Sequence, residues 1–367
     1  MRTAIIGCGK VGHLHAAAWR DLPESEFTAV CDHDGARAGA FAAQYSVRAY
    51  TDAATMFTEA GIEAVVICTP HPLHAEPAVL AASHGVHVLV EKPLAASLED
   101  CDRMIAAAQR HGVQLGVVSQ RRFFEPVLRM KAAIDAGKIG KPILGTVMMF
   151  SWRDEAYYRS DPWRGKWSTE GGGVLINQSP HHLDILQWLM GPIDEITGDW
   201  ANLSHPYIEV EDTAIANIRF RSGGLGNIVV SLCQQPGIYT KIHVHGANGA
   251  SVGTQTDGGA TFIAGMSNVL EPPVNDLWTI PGEQPLLPGY QAEDTARFGR
   301  IDATLHYHRL QDQDFLQAII EGRPLRVPAE EGRKVVEMIQ AIYRSGRERV
   351  PVKVEIGRAS CRERVCT

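Results

Sequence analysis

Lys92 stands at a place in the sequence where a lysine could take part in acid–base chemistry. It belongs to the tripeptide Glu91-Lys92-Pro93, which follows directly on the apolar, strand-like run His87–Val90. Ligands bind beyond the carboxyl ends of parallel strands, so a lysine here could hydrogen-bond a substrate oxygen. The alternative from position alone is a surface ion pair between Lys92 and Glu91.

His181 is the second candidate for proton transfer, because it stands in the first turn of a predicted helix. Ser179-Pro180 is a helix start signal and Gly191-Pro192 is a stop signal, which together predict a helix near residues 180–190. The positive end of the helix dipole disfavours a protonated imidazole, so His181 could accept a proton at neutral pH. Asp184 shares its face of the helix. Taken alone, a histidine near a helix start is more often structural than catalytic.

A glycine-rich turn near the start of the chain predicts a dinucleotide site. The run Gly7-Cys8-Gly9-Lys10-Val11-Gly12 follows a predicted strand, Thr3–Ile6, and opens a predicted helix. In this pattern the first glycine makes the tight turn, the second lets the backbone approach a pyrophosphate, and the third lets the helix pack on the strand. The helix N-terminus adds N–H groups and a positive dipole. The residues expected to bind the phosphates are Gly7, Gly9, Lys10, Val11 and Gly12.

The kind of dinucleotide is indicated by Asp32, which follows the second predicted strand, Phe27–Cys31. An acid at this offset from the glycines accepts hydrogen bonds from the adenosine ribose hydroxyls. A 2′-phosphate would be repelled by Asp32 and by nearby Asp34, so NAD is favoured over NADP, although Arg37 could weaken that preference. The alternative is a glycine turn with a helix-capping aspartate.

Two further loops are expected beside the nicotinamide, because they follow the third and fourth predicted strands, Ala64–Cys68 and His87–Val90. A cationic nicotinamide ring would lower the pKa of Lys92 into a range useful for catalysis. The residues of these loops that are expected to contact the cofactor are Thr69, Pro70, His74, Glu91 and Lys92.

Aromatic and cationic side chains in the run Asp161–Trp167 suit a polyhydroxylated ligand. Flat rings can stack on a sugar, and guanidinium groups can hydrogen-bond its hydroxyls. The cations Arg122, Arg164 and Lys166 could equally accept a carboxylate or a nucleotide phosphate, and surface packing is the alternative to substrate contact. The candidates for substrate contact are Arg122, Phe123, Trp163, Arg164 and Trp167, with Tyr157 and Tyr158 as weaker candidates.

The elements that must position these residues alternate between strand and helix over residues 1–120. A fifth strand is predicted over Leu115–Val118. The predicted helices are Leu14–Trp19, Ala36–Gln44, Ala75–His84 and Leu98–His111. This alternation predicts an α/β domain, a doubly wound parallel sheet with helices on both faces, which would bind the cofactor.

From residue 121 the pattern changes to an α+β domain with a largely antiparallel sheet, which would bind the substrate. Strands are predicted over Leu144–Phe150, Thr213–Phe220 and Gly226–Cys233, and helices over Tyr307–Glu321 and Ala329–Gly346. Residues 248–300 are rich in glycine and proline, and their elements are left unassigned. The second domain is expected to extend over residues 121–355.

Composition excludes several classes of protein. The 367 residues carry 35 Lys and Arg against 42 Asp and Glu, a net charge of −7 without basic blocks, which argues against nucleic acid or an anionic membrane as partner. No apolar run is long enough to span a bilayer. Seven cysteines without ligand spacing predict reduced thiols, no metal site and a cytoplasmic protein.

The last residues, 357–367, differ in character from the rest of the chain. They hold two of the seven cysteines, are basic and show no periodicity, so they resemble a translated cloning adaptor. We expect the native chain to end near Val354 or Glu355 and residues 357–367 to be a non-native tail.

Taken together, the glycine motif, Asp32, Glu91-Lys92-Pro93 and the segment Gly171-Gly172-Gly173…Asn177…His181…Asp184 resemble the Gfo/Idh/MocA family of NAD(P)-dependent oxidoreductases, which includes glucose–fructose oxidoreductase and inositol dehydrogenase. The resemblance covers most of residues 1–350. It implies a Rossmann domain followed by an open-sheet α+β domain whose face often forms the interface of a homodimer or homotetramer. It also implies Lys92 and His181 as the catalytic pair, a substrate loop near Trp163 and Arg164, and a cis Lys92–Pro93 bond.

One residue departs from the pattern of part of this family. Inositol-dehydrogenase-like members carry Asp four residues before the catalytic His, where this sequence has Asn177. A carboxylate would raise the basicity of a neighbouring Lys or His, whereas an amide can only orient them by hydrogen bonds. Asn177 is therefore expected among the catalytic and substrate-binding residues together with His181, without a proton relay of its own.

The expected activity is hydride transfer between nicotinamide and a secondary hydroxyl or keto carbon of a sugar, polyol or sugar derivative. His181 would accept the hydroxyl proton and Lys92 would stabilise the oxygen. Two alternatives stay open, an NAD-dependent redox-assisted glycosidase of the same family and a non-catalytic cofactor-binding regulator.

Overall fold

The computed structural model describes residues 1–256 and 270–354, together with the backbone of two short strands between those ranges. The tail over residues 357–367 lies outside the described residues. Within the described part of the chain, no helix combines the length and the apolar character needed to cross a bilayer.

The described N-terminal part holds a six-stranded parallel sheet with the strand order β3-β2-β1-β4-β5-β6. Its strands are β1 (Arg2–Ile6), β2 (Glu26–Cys31), β3 (Arg48–Tyr50), β4 (Ala64–Ile67), β5 (His87–Val90) and β6 (Leu115–Val117). The central strand β4 is buried along its whole length, because helices cover both faces of the sheet. This order is the one found in dinucleotide-binding Rossmann domains, and it confirms the predicted doubly wound sheet.

Helices cross over between these strands. They are α1 (Lys10–Asp21), α2 (Gly35–Tyr45), α3 (Ala53–Ala60), α4 (Ala75–Ser83) and α5 (Leu98–His111). The structure adds β3 and α3 to the predicted elements. The three residues of β3 are too few to show alternation, and α3 is only eight residues long.

The second sheet has eight strands in the order β15-β12-β11-β7-β10-β9-β8-β16. Its strands, with the separate hairpin formed by β13 and β14, are β7 (Pro142–Phe150), β8 (Ile193–Ala201), β9 (Thr213–Phe220), β10 (Leu225–Ser231), β11 (Tyr239–Gly246), β12 (Ser251–Thr256), β13 (Thr261–Ile263), β14 (Met266–Asn268), β15 (Val274–Trp278) and β16 (Val352–Lys353). The pair β7–β10 is parallel and the other described pairs are antiparallel, as predicted for this half of the chain.

One face of this sheet is covered by helices and the other is open. The helices of this half are α6 (Glu125–Asp135), α7 (Glu155–Arg159), α8 (Trp167–Glu170), α9 (Pro180–Met190), α10 (Leu287–Phe298), α11 (Ala303–Glu321) and α12 (Ala329–Glu348). Helices α9 and α12 pack on the covered face, and β9 alternates between buried and exposed residues accordingly. Ile215 is 52% exposed on the open face.

Helix α11 packs against α1 of the first sheet, although it lies far along the chain in the predicted second domain. Phe315 and Leu316 share one apolar core with Trp19 and Leu22. The last third of the chain therefore returns to the nucleotide-binding domain, and this return brings distant polar residues next to the site described below.

Candidate active site

The glycine turn leaves open space at the N-terminus of α1. A Cβ on Gly7 would lie 2.7 Å from the Cys68 carbonyl carbon, and one on Gly12 would lie 2.5 Å from the Gly7 oxygen, so close packing requires both glycines. A Cβ on Gly9 would meet nothing within 4 Å. The helix begins at Lys10 without a side-chain cap. Its first N–H groups therefore face a space that fits a pyrophosphate.

Asp32 lies beside this cradle at the end of β2 and is held in one orientation. Its carboxylate accepts hydrogen bonds from the backbone N–H groups of Cys8 (2.9 Å) and Asp34 (3.0 Å). Arg37 lies 3.5 Å from the carboxylates of both Asp32 and Asp34. The position fits a ribose, and two carboxylates would oppose a 2′-phosphate.

His74 lies behind the loop that follows β4 and contains Thr69 and Pro70. This position differs from the predicted cofactor contact. Its ring is fully buried, and its two nitrogens lie 2.8 Å from the Thr69 carbonyl oxygen and 3.0 Å from that of Pro93. It therefore connects the loop that contains Thr69 and Pro70 to the loop after β5. This correction follows from burial, because a fully enclosed ring cannot touch a bound cofactor.

Glu91 belongs to a buried ionic chain that the sequence analysis missed. Its carboxylate lies 3.1 Å from His15 Nε2 and accepts a hydrogen bond from the Lys92 N–H at 3.0 Å. The other nitrogen of His15 lies 2.9 Å from the Asp312 carboxylate. Through these hydrogen bonds the side chain of Glu91 supports both His15 and the backbone of Lys92.

Opposite charges determine the protonation of this chain. Burial lowers the pKa of His15, but Asp312 and Glu91 outweigh burial and raise that pKa to about 10. Burial raises the pKa of Glu91, but the hydrogen bond and charge of His15 outweigh it and lower that pKa to about 2. At neutral pH the chain therefore holds an imidazolium between two carboxylates.

Lys92 points from the end of β5 toward the second domain. The Lys92–Pro93 peptide bond is cis. Its ammonium donates a hydrogen bond to the backbone oxygen of Asn177 at 2.7 Å. Burial lowers the pKa of Lys92 to about 8, with Glu91 acting in the opposite direction and Arg164 adding to the decrease. The side chain can thus change its protonation close to neutral pH.

His181 lies in the first turn of α9, as predicted, and is 7% exposed. Its Nδ1 atom has no hydrogen-bond partner among the described residues. Burial lowers the pKa of His181 well below its usual value, and the charges of Arg121 and Lys92 lower it further. The imidazole is therefore uncharged at neutral pH and can accept a proton.

Asn177 lies on a π-helical turn, Val174–Gln178, that leads into α9. Its side-chain amide donates to the carboxylate of Glu170 and to the hydroxyl of Tyr157, the latter at 3.1 Å. Glu170 is 1% exposed. Burial raises the pKa of Glu170 to about 7, against the hydrogen bonds from Gly165 and Asn177. The sequence analysis did not assign Glu170, although it directly precedes the three glycines.

The predicted substrate loop packs over the cofactor loops. Trp163 stands edge-on to His71, with ring centroids 5.2 Å apart. The guanidinium of Arg164 lies between two rings, 4.3 Å from that of Tyr157 and 4.5 Å from that of Trp163. Lys10 of the glycine turn lies 3.3 Å from Asp161 of this loop. Trp163 and Arg164 are thereby placed at the same end of the first sheet as Lys92.

Arg122 is not available for the substrate contact that its sequence position suggested. Its side chain is 5% exposed. The guanidinium donates to both carboxylate oxygens of Asp184 and pairs with Glu331 at 2.8 Å. Phe123 beside it is buried. The predicted cationic group of Arg122, Arg164 and Lys166 is therefore not one cluster, since Lys166 is exposed and Arg122 instead anchors α9 through Asp184.

Trp167 also lies away from the predicted ligand. Its ring packs edge-on against Trp200 and Tyr343, each with centroids 5.3 Å apart. Tyr157 and Tyr158 are both buried, and Tyr157 is the one that contacts the active-site residues. Of the aromatic candidates, Tyr157 accepts a hydrogen bond from the Asn177 amide, and Trp163 contacts His71.

Two sequence profiles match the chain. Residues 1–119 match the profile described as "Oxidoreductase family, NAD-binding Rossmann fold", and residues 127–252 match "GFO/IDH/MocA C-terminal domain". The two ranges together cover more than half of the chain and occur in the order expected for both domains of one family.

Three known proteins illustrate the similarity. The 2,7-anhydro-N-acetylneuraminate hydratase of Mediterraneibacter gnavus is 32% identical over 221 residues, which are 59% of this chain and 58% of that enzyme. The myo-inositol 2-dehydrogenase of Thermotoga maritima is 30% identical over 254 residues, which are 68% of this chain and 74% of that enzyme. The WlbA dehydrogenase of Bordetella pertussis, solved in complex with NADH and UDP-GlcNAcA, has a TM-score of 0.85 at 28% identity and covers 97% of this chain and 98% of its own.

Proposed function

The chain belongs to the Gfo/Idh/MocA family of oxidoreductases with an NAD-binding Rossmann domain, and we propose that it oxidises a secondary hydroxyl of a sugar, polyol or sugar derivative. The observation that carries the proposal is the hydrogen bond from the Lys92 ammonium to the backbone oxygen of Asn177, which stands four residues before the uncharged imidazole of His181. Relatives named as dehydrogenases of inositols and of a UDP-linked sugar acid support this substrate class.

NAD would be held by the glycine cradle and by Asp32. The N–H groups at the start of α1 would bind the pyrophosphate, and the Asp32 carboxylate would accept hydrogen bonds from the ribose. Thr69, Pro70 and Lys92 would stand beside the nicotinamide. Bound NAD supplies the acceptor for the hydride that leaves the carbinol carbon.

Proton transfer would be carried out by His181 and Lys92. His181, neutral at working pH, would take the proton of the substrate hydroxyl on a ring nitrogen. Lys92 would donate a hydrogen bond to the same oxygen and stabilise the negative charge that develops on it. Asn177 would fix Lys92 through its backbone oxygen, and Trp163 with Arg164 would contact the sugar.

A substrate panel tests the proposal. Inositols, aldoses, sugar acids and UDP-linked sugars are each incubated with the full chain and NAD, and formation of NADH is followed by its absorbance. The proposal predicts stoichiometric NADH with at least one polyhydroxylated compound and none from a Lys92→Ala variant. Absence of NADH with every member of the panel, or full activity of Lys92→Ala, would contradict it.

A second candidate function is favoured by the similarity to the hydratase of M. gnavus. In this alternative NAD is reduced and reoxidised within one turnover, and the net reaction is hydration, elimination or glycoside cleavage. Product formation without net NADH, measured by chromatography on glycosides and anhydro sugars, would favour it over net oxidation. A purely regulatory role is disfavoured, because the lysine and the histidine are both present.

We also propose a division of labour and an assembly. Residues 1–120 would bind the cofactor, while residues 121–355 would bind the substrate and pair with a second copy through the open face of the eight-stranded sheet. This face carries exposed apolar residues such as Leu144 and Ile215. The described cysteines are free thiols, which suits the reducing cytoplasm.

A further inference from the structure

Glu170 is a buried carboxyl group that joins three segments of the site. One oxygen accepts a hydrogen bond from the Gly165 N–H in the loop that carries Trp163 and Arg164, and the other accepts from the side-chain amide of Asn177. Its backbone oxygen accepts from His71 Nδ1 at 3.1 Å. The substrate loop, the π-helical turn and the loop after β4 therefore all contact this one residue.

Charges on several neighbouring elements face Glu170. Arg164 precedes it on the substrate loop, Lys92 approaches from the end of β5, and the hydroxyls of Tyr157 on α7 and Tyr343 on α12 lie nearby. The group around Lys92 contains in addition Glu91, Arg121 and His181. Of the two carboxylates in this group, Glu170 is the one that accepts a hydrogen bond from the substrate loop, through the Gly165 N–H.

Asn177 links the carboxylate of Glu170 to Lys92 by two hydrogen bonds. Its backbone oxygen accepts the hydrogen bond of the Lys92 ammonium, while its side-chain amide donates to Glu170. The amide is neutral, so residue 177 by itself adds no charge beside Lys92. The negative charge of Glu170 still stabilises the ammonium form of Lys92 across Asn177, because these groups are buried and the charge is screened weakly.

We propose that Glu170 is a positioning residue of the active site, which orients Asn177 and, in addition to Glu91, favours the ammonium form of Lys92. Its consequence for catalysis rests on the function proposed above, whereas its effect on Lys92 does not. The charges of the two groups act on each other reciprocally, since Glu170 raises the pKa of Lys92 and Lys92 lowers that of Glu170.

The test first removes the carboxylate at residue 170 and then places a carboxylate at residue 177 instead. In Glu170→Gln the charge is lost. In the double variant Glu170→Gln with Asn177→Asp, the side-chain amide at 170 donates to the carboxylate at 177, so the hydrogen bond is kept with its direction reversed. Glu211→Gln is the matched control, because Glu211 is also buried and accepts the N–H groups of Gly173 and Leu175 on the same glycine segment.

The readout is the pH dependence of Lys92 acetylation by acetic anhydride, measured by mass spectrometry on the full chain with and without NAD. We expect Glu170→Gln to move the midpoint by about one unit to lower pH. The double variant should return the midpoint to the wild-type value or above it, and Glu211→Gln should lower the melting temperature without moving the midpoint. An unchanged midpoint in Glu170→Gln, or an equal shift in Glu211→Gln, would overturn the proposal.

Two further measurements keep the result interpretable. If Glu170→Gln does not fold, Glu170→Asp should lower the midpoint, because the shorter side chain withdraws the carboxylate from Asn177, and no change would overturn the proposal. Turnover of the substrate panel by the wild type is measured separately. Failure of turnover with a shifted midpoint contradicts only the proposed function, whereas normal turnover with an unshifted midpoint contradicts only the role of Glu170.

Discussion

Lys92 is the residue on which the proposed chemistry depends most directly, because it follows β5 and its ammonium donates a hydrogen bond to the backbone oxygen of Asn177. In Lys92→Met a side chain of similar length keeps the packing but loses the donor. We expect kcat to fall by about 10²- to 10⁴-fold, the range typical of acid–base groups, while NADH binding measured by fluorescence titration is retained.

A lysine elsewhere on the surface provides the comparison for this variant. Lys353 on β16 is exposed and pairs with Asp194 at 2.8 Å. Lys353→Met should leave kcat unchanged, because the residue lies on the edge of the second sheet. A loss of NADH binding as large as the loss of kcat in Lys92→Met would point to a role in cofactor binding rather than in catalysis.

The pH dependence of the reaction follows from the protonation of the same group. His181 is neutral throughout the working range because its pKa is lowered, so the described groups of the site that titrate near neutral pH are Glu170, with a pKa of about 7, and Lys92, with a pKa of about 8. If the ammonium form is active, log kcat/KM should decline with a slope near −1 as pH rises above that value. Asn177→Asp should move this limb to higher pH, and an unmoved limb would exclude residue 177 from the proton-transfer group.

The sequence predicts these residues unevenly, for physical reasons. Lys92 and His181 could be found because a strand end and a helix start determine where their side chains lie. Arg122 could not be assigned correctly, because its partner Asp184 lies 62 positions away and only the fold brings the two together. Glu170 gave no periodic signal, and its importance depends on an amide, Asn177, that looks neutral in the sequence.

At the scale of elements, hydrophobic patterning predicts the parallel strands closely but says little about which elements pack together. His87–Val90 and Leu98–His111 are found with the predicted limits. The contact between α1 and α11 was not foreseen, because His15 and Asp312 are 297 positions apart. That contact nevertheless connects α1, the end of β5 and α11 through one buried imidazolium.

The ionic chain of His15 gives a stability prediction for these three elements. His15→Gln keeps a hydrogen-bonding side chain but removes the imidazolium that lies between the buried carboxylates of Glu91 and Asp312. We expect the free energy of unfolding near pH 6 to fall by about 3 kcal/mol, measured by urea denaturation. His111→Gln, at an exposed helix end, should change it little.

The effect of His15 should depend on pH in a defined direction. The folded-state pKa of His15 is raised to about 10, so its contribution is complete below its unfolded pKa, near 6.5, and is lost as pH rises toward 10. The pKa of Glu91 is lowered to about 2, so its contribution is present above roughly 4.3 and is lost below that. The difference between wild type and His15→Gln should therefore be largest between these limits, and a difference that grows above pH 8 would contradict the assignment.

At the scale of the whole molecule, the two faces of the eight-stranded sheet have different surroundings. Helices α9 and α12 cover one face of the eight-stranded sheet and thereby fix Asn177 and His181 against the first domain. The other face has alternate residues of β9 exposed, although sheets of this size usually bury apolar side chains. In the assembly proposed above, a second copy would cover this face.

This explanation predicts that a charge on the open face separates the copies without harming the fold. Ile215 is exposed in the middle of β9, and Ile215→Lys would place an ammonium group in the buried core of the proposed interface. We expect the variant to sediment as a monomer in analytical ultracentrifugation, with the melting temperature lowered at the concentrations where the wild type is assembled. Ile320→Lys, at a residue 58% exposed on α11, is the control and should leave the assembly unchanged. An Ile215→Lys variant that keeps the wild-type assembly would show that the copies pair through another surface.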